Sequence, residues 1–227
     1  MSFPSLGLFG VDAMMCGIAT AAAFPVIATT ATSLQSVGTT SHVVTMPASV
    51  ASGDLLIIGF MHTTGTLTTP TGWTLTASLT SASAHQLTIF HRVSDGTEGA
   101  SVTITSGSSV RTTHQAYRIT TYQSVPEGAV SADNTNNQPS LSPTWGEDKT
   151  LWIAFLSGRR SDWSASAAPT NYATIVSSLH ASNVNTDRNG IVSANRSFES
   201  ANDDPDGFTI TGTIDTPLSI LIAVRPA

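Results

Sequence analysis

The pattern of apolar and polar positions is most telling at Gly53 to Phe60, GDLLIIGF. A Gly-Asp turn signal leads into a run in which large apolar side chains do not alternate with polar ones. In an extended strand Leu55 and Ile57 face one way and Leu56, Ile58 and Phe60 the other. A strand apolar on both faces has to be covered on both sides. The same character returns at Leu151 to Leu156 (LWIAFL) and Leu218 to Val224 (LSILIAV). Three such strands predict a β-sandwich whose outer face is also occupied, by an arm, a loop or another subunit.

Shorter strands are predicted around them. His42 to Met46 (HVVTM) is stopped by Pro47, and Gln86 to Val93 (QLTIFHRV) runs into the Gly-rich turn SDGTEG. Ser101 to Thr105 alternates cleanly, and Arg111 to Tyr122 holds a further strand. Ser131 to Pro143 (SADNTNNQPSLSP) is polar and lacks periodicity, so it reads as the connection between two halves, about 34–130 and 140–227. The second half repeats the order of the first. LWIAFL answers LLIIGF, PTNY (Pro169 to Tyr172) answers PTGW, FTIT answers VTIT, and LSILIAVRP answers HQAYRIT. One all-β, jelly-roll-like sandwich, each half supplying strands to both sheets, is preferred to two domains of thin core.

Residues 1–33 differ. They carry Phe3, Leu6, Leu8, Phe9, Met14, Met15, Ile18 and Phe24, with Asp12 as their one charged side chain. A signal peptide would show a basic n-region, which is missing here. The apolar run after Asp12 is broken by Pro25 and falls short of the ~20 residues a membrane span needs. The remaining reading is an extended arm that docks on a partner, leaving residues 34–227 as the sandwich. A chain without residues 1–33 would then still fold.

Composition narrows the partners. Only 11% of the chain is charged and the net charge is −6, with no Lys or Arg before Arg92. A nucleic-acid surface needs clustered positive charge, so nucleic acid is set aside. The single cysteine, Cys16, rules out an intramolecular disulfide.

The ordered set VTMPASVASGDLLIIGF, PTGWT, LTIFHRVSDGTE, a Y-R-I-x-x-Y strand, then TLWIAF, PTNYATI, DDPDGFTIT and a terminal AVRPA resembles a group of virion and tail-associated structural proteins of tailed bacteriophages and prophages. It spans about residues 39–227. The resemblance implies a non-enzymatic β-sandwich component of a virion, made in the bacterial cytoplasm. Its partners would be other capsid or tail proteins and further copies of itself. It implies no cofactor and no set of functional residues.

Candidate chemistry is sparse. GxSxG, Walker, HExxH and CxxC patterns are missing. His85 and His91 share a strand face but would need a neighbour such as His114 to hold a metal, and the histidines read better as strand-end and interface residues. Asp203, Asp204 and Asp206 before Gly207 offer a weak calcium cup without the closing Glu of a full loop. Arg159, Arg160, Asp162 and Trp163 form a loop whose residue types grip sugars or partner proteins. From this loop comes the alternative reading, a module that recognises a host glycan or receptor.

Overall fold

The computed structural model describes residues 22–63, 65–81, 85–131, 136–160, 162–180 and 189–227. The strands are β1 (Val26–Thr45), β2 (Leu55–Thr63), β3 (Leu67–Thr68), β4 (Thr74–Thr80), β5 (His85–Val93), β6 (Ser101–Thr120) and β7 (Glu127–Ser131). There follow β8 (Asp148–Arg159), β9 (Ser164–Ala167), β10 (Ala173–Leu179), β11 (Asn189–Ser200), β12 (Thr209–Thr211) and β13 (Asp215–Val224). No helix occurs among the described residues, hence none long and apolar enough to cross a membrane.

The all-β expectation holds, and the strands close into two stacked antiparallel sheets. One has the order β1-β6-β2-β5-β4 and the other β7-β13-β8-β11-β10. Replacing each strand of the first by its counterpart in the second (β1 by β7, β6 by β13, β2 by β8, β5 by β11, β4 by β10) reproduces the order. The repeat legible in the sequence is therefore a repeat of topology. It extends to the turns: the Trp73 amide donates to the Pro70 carbonyl at 3.0 Å and the Tyr172 amide to the Pro169 carbonyl at 2.9 Å. Both turns place their third residue at positive φ, Gly72 at 80° and Asn171 at 66°.

Each half builds its own sheet, which corrects the expectation that both halves feed both sheets, and with it the strand distribution of a jelly roll. Only β4–β5 and β10–β11 are consecutive pairs in these sheets; the other pairings are nested, β2 between β5 and β6 and β8 between β11 and β13, and every one of them closes within its own half. The break between halves falls at residues 121–126, before β7, rather than at Ser131 to Pro143. β7 is only five residues long and lies at a sheet edge, so its pattern carries little signal.

The inner faces meet in the main core. Leu55, Ile57, Met61, Leu87, Ile89 and Tyr117 oppose Ile153, Phe155, Ile191, Ile220 and Ile222. The outer faces are covered too, and by this chain itself. β1 and β6 shift register between Gln35 and Ser41, and the strand doubles back so far that the Thr45 amide donates to Ser33 Oγ at 3.1 Å. Their far halves form a ribbon lying on the outer face of the first sheet, where Val44, Met46 and Ile104 pack on Leu56, Ile58 and Phe60. On the other side a β9–β12 ribbon and the residues near Leu141 bury Trp152, Ala154 and Leu156 beneath Trp163, Tyr172 and Phe208. The molecule is thus ribbon, sheet, sheet, ribbon, and no second subunit is required over GDLLIIGF.

β1 begins at Val26, so residues 26–33 are a sheet edge and not arm; they pair with Thr120 to His114 of β6.

Candidate functional site

The two sandwich edges are counterparts under the internal repeat but differ in closure. At one, β7 seats against β4 closely enough that a Cβ on Gly128 would lie 3.3 Å from Ala77. At the other, β1 and β10 are tied by Ser178 Oγ donating to the Ser33 carbonyl at 2.9 Å. Beside that tie a groove of about 260 Å³ opens, lined by Phe24, Pro25, Ile27, Leu151, Val176 and Asn195 among others. Its lining mixes these apolar side chains with Thr30, Thr174 and Ser197, and Val26, which also lines it, is 51% exposed. Residues 1–21 join the sandwich here, through Ala22 to Phe24. Of the side chains expected in the arm, Phe24 lies half-buried in this groove. Phe3, Leu6, Leu8, Phe9, Met14, Met15 and Ile18 lie outside the described residues.

The Arg/Trp loop does not form a gripping surface. Trp163 is 2% exposed and packs in the cluster beneath the β9–β12 ribbon, so its ring offers no face to a sugar. Arg160 and Asp162 are exposed, and Arg159 is half-buried at the end of β8. An aromatic next to charges suits a binding loop or a capped core equally well, and here the core takes it.

The acidic group is occupied internally. Asp203 is buried, receives Nε of Arg196 at 3.0 Å and the Tyr172 hydroxyl at 2.5 Å, and bridges to Leu141 through its backbone. Burial and the adjoining carboxylate push the Tyr172 phenol up. Asp206 accepts from the amide and hydroxyl of Thr170, both at 2.6 Å. Asp204 is exposed. Among the described residues no group of three His, Cys, Asp or Glu is placed to hold a metal.

All six histidines are buried, a feature that strand patterns did not reveal. Their hydrogen-bond partners are hydroxyls, an amide and backbone carbonyls. His42 Nε2 meets Ser106 Oγ at 2.8 Å, His114 Nδ1 meets Ser33 Oγ at 2.9 Å, and His91 Nδ1 meets Thr76 Oγ1 at 2.7 Å. His62 contacts the Thr63 carbonyl and Gln86, His85 contacts Ser81 and Thr216, and His180 contacts the Thr112 carbonyl. Burial pulls His114 down to about 3 and His62 and His85 to about 4; His42, His91 and His180 are also lowered by it. Ser33 beside His114 looks like a nucleophile and base. However, among the described residues His114 Nε2 meets the Thr112 hydroxyl rather than a carboxylate, and Ser33 Oγ also receives the Thr45 amide. These contacts are hydrogen bonds of buried imidazoles with neutral partners.

No protein-family model matches the chain, and no curated protein or solved structure matches it either.

Proposed function

We propose that this protein is a non-enzymatic structural component of a tailed-bacteriophage particle, a capsid decoration or tail-associated subunit. It joins the particle through its apolar N-terminal stretch and the edge where that stretch enters. The observation that carries the proposal is the open β1–β10 edge. Both sheets have their faces covered by the chain's own ribbons and the opposite edge is shut, yet this edge keeps a partly apolar groove lined by Phe24 and Pro25, close to where the described chain begins. Phe3, Phe9, Met14, Met15 and Ile18 give that stretch the apolar surface that partner interfaces bury. The resemblance of residues 39–227 to virion structural proteins supplies the setting. The two-sided apolar strands lend the proposal no support, because the chain covers them itself.

The test compares the full chain with one beginning at Ala22 in a particle-incorporation assay. The shortened chain is expected to fold, with an unchanged melting transition, and to be lost from particles. A shortened chain that incorporates as well as the full one overturns the proposal.

A further inference from the structure

We propose that the ribbon lying on the first sheet is an acid-released latch, held shut by a one-way chain of hydrogen bonds that requires neutral imidazoles at His42 and His114. This goes beyond the assembly role and does not depend on it.

The direction of the chain is set at one end. Ser106 Oγ lies 2.7 Å from the Ser108 carbonyl oxygen, which can only accept, so the Ser106 proton points there. Ser106 Oγ therefore accepts from Nε2–H of His42 at 2.8 Å. That leaves His42 Nδ1 to accept from the Thr112 hydroxyl at 3.4 Å. Thr112 Oγ1 takes Nε2–H of His114 at 2.6 Å, and His114 Nδ1 takes the Ser33 hydroxyl at 2.9 Å. Ser33 Oγ finally receives the Thr45 amide of the doubled-back strand at 3.1 Å. Every proton is used once, and the chain passes twice between the ribbon and the sheet beneath it.

A second proton on either ring breaks this order. On His42 it puts an N–H against Thr112, whose own proton then has no acceptor in the chain; Thr112, His42 and His114 are each 0% exposed. On His114 it puts an N–H against Ser33, whose own proton must then turn away from the ring. The titratable groups facing the pair are His62 of β2 toward His42, and His180 beyond β10 toward His114; Arg111 of β6 faces His180. Among the described residues none of these is a carboxylate that would welcome the charge. The Phe60 ring, stacked on His114 at 4.7 Å, offers a cation some attraction. Desolvation outweighs it, which agrees with the low value burial gives His114.

Release would uncover Leu56, Ile58, Phe60 and Phe90 on the outer face of the sheet. The other ribbon supplies an internal control, because β9 and β12 contain no histidine and the counterpart of His114 in β13 is Ser219.

The experiment follows amide hydrogen exchange of the full chain, corrected for intrinsic rates, from pH 7.5 to 5. Each proton taken up on opening raises the open population about tenfold per pH unit below about 6.5. Residues 41–46 and 101–106 are therefore expected to lose protection by up to about a hundredfold per unit while the whole molecule is still folded, whereas β8 and β12 exchange more slowly and only as the whole molecule is destabilised. Simultaneous loss in both ribbons, or no loss in the first by pH 5, overturns the proposal. His114→Gln keeps a donor toward Thr112 but no titrating group, and should reduce the pH slope by about one proton; an unchanged slope overturns it. If that variant does not fold, ring NMR of the native protein decides. His42 and His114 must titrate together with loss of ribbon protection, and rings that charge while the ribbon stays protected refute the latch.

Discussion

Gly59 and Phe155 hold the same position in the two halves and meet at the centre of the sandwich. A Cβ on Gly59 would lie 2.8 Å from Phe155 Cε1 and 2.9 Å from Ile191 Cδ1. The missing side chain of one half is thus the room for the large one of the other. Gly59→Val is expected to destabilise by about 1–3 kcal/mol through overpacking, and Phe155→Ala by about 3–5 kcal/mol through an empty cavity. Urea titration, with an unchanged slope, measures both. The histidines give a pH dependence whose sign is fixed. Their folded-state values are lowered, so below about 6.5 the unfolded chain binds more protons than the folded one. Stability is greatest above that pH and falls as the solution is acidified toward the folded values of about 3 to 4. Thermal melts at pH 7.5, 6 and 5 should show the transition descending step by step; a transition rising with acid contradicts the assignment. At this scale the sequence was partly legible. The two faces of GDLLIIGF fall as alternation predicts, Leu55 and Ile57 inward and Leu56, Ile58 and Phe60 outward. Trp163 and the histidine chain were not legible, because their roles depend on which strand lies opposite and in which register.

Among the elements, strongly apolar strands announce themselves and edge strands do not. β1 reads VIATTATSLQSVGTTSHVVT and alternates between exposed and half-buried along most of its length. Thr, Ser and Ala on both faces leave no apolar period, so only its end, near His42 to Thr45, stood out. β6 reads as two strands because its middle, Ser106 to Ser109, is polar where the ribbon turns. The segment around Asp203 shows what holds a covering element down. Arg196, Tyr172 and Asp203 tie β11 to the turn before β10 and to Leu141. Removing the carboxylate in Asp203→Ala leaves the Arg196 charge without its partner in a place where its side chain is 15% exposed. A loss of about 3–5 kcal/mol is expected by chemical denaturation. Because these carboxylates are already engaged, millimolar calcium should leave the melting temperature unchanged, which scanning calorimetry checks; a calcium-dependent rise would restore the acidic turn as a metal site.

For the whole molecule, the order of halves was visible in the sequence but their division of labour was not. Matching LWIAFL to LLIIGF says that the halves are alike; it cannot say whether like halves interleave or stack. They stack, and that moves the boundary of the dispensable N-terminal stretch. Removing residues 1–21 leaves all thirteen strands of the described structure, whereas removal through Ser33 strips β6 of the partners it has at Thr120 to His114. The longer deletion is expected to lower the melting temperature and to self-associate through the bared edge, as sedimentation velocity would show.

The connection between the halves is short and is itself zipped to the end of the chain, Tyr122 bridging Pro226 and the Gln123 amide donating to the Arg225 carbonyl at 3.1 Å. Each half alone would present a largely apolar inner wall to water and would leave Gln115 and the Tyr117 hydroxyl without their partners on the other sheet. The two halves are therefore expected to fold only together. Cut within residues 124–126, the chain's two pieces should migrate as one particle, and once separated in denaturant they should regain structure only when mixed, at a rate that depends on concentration.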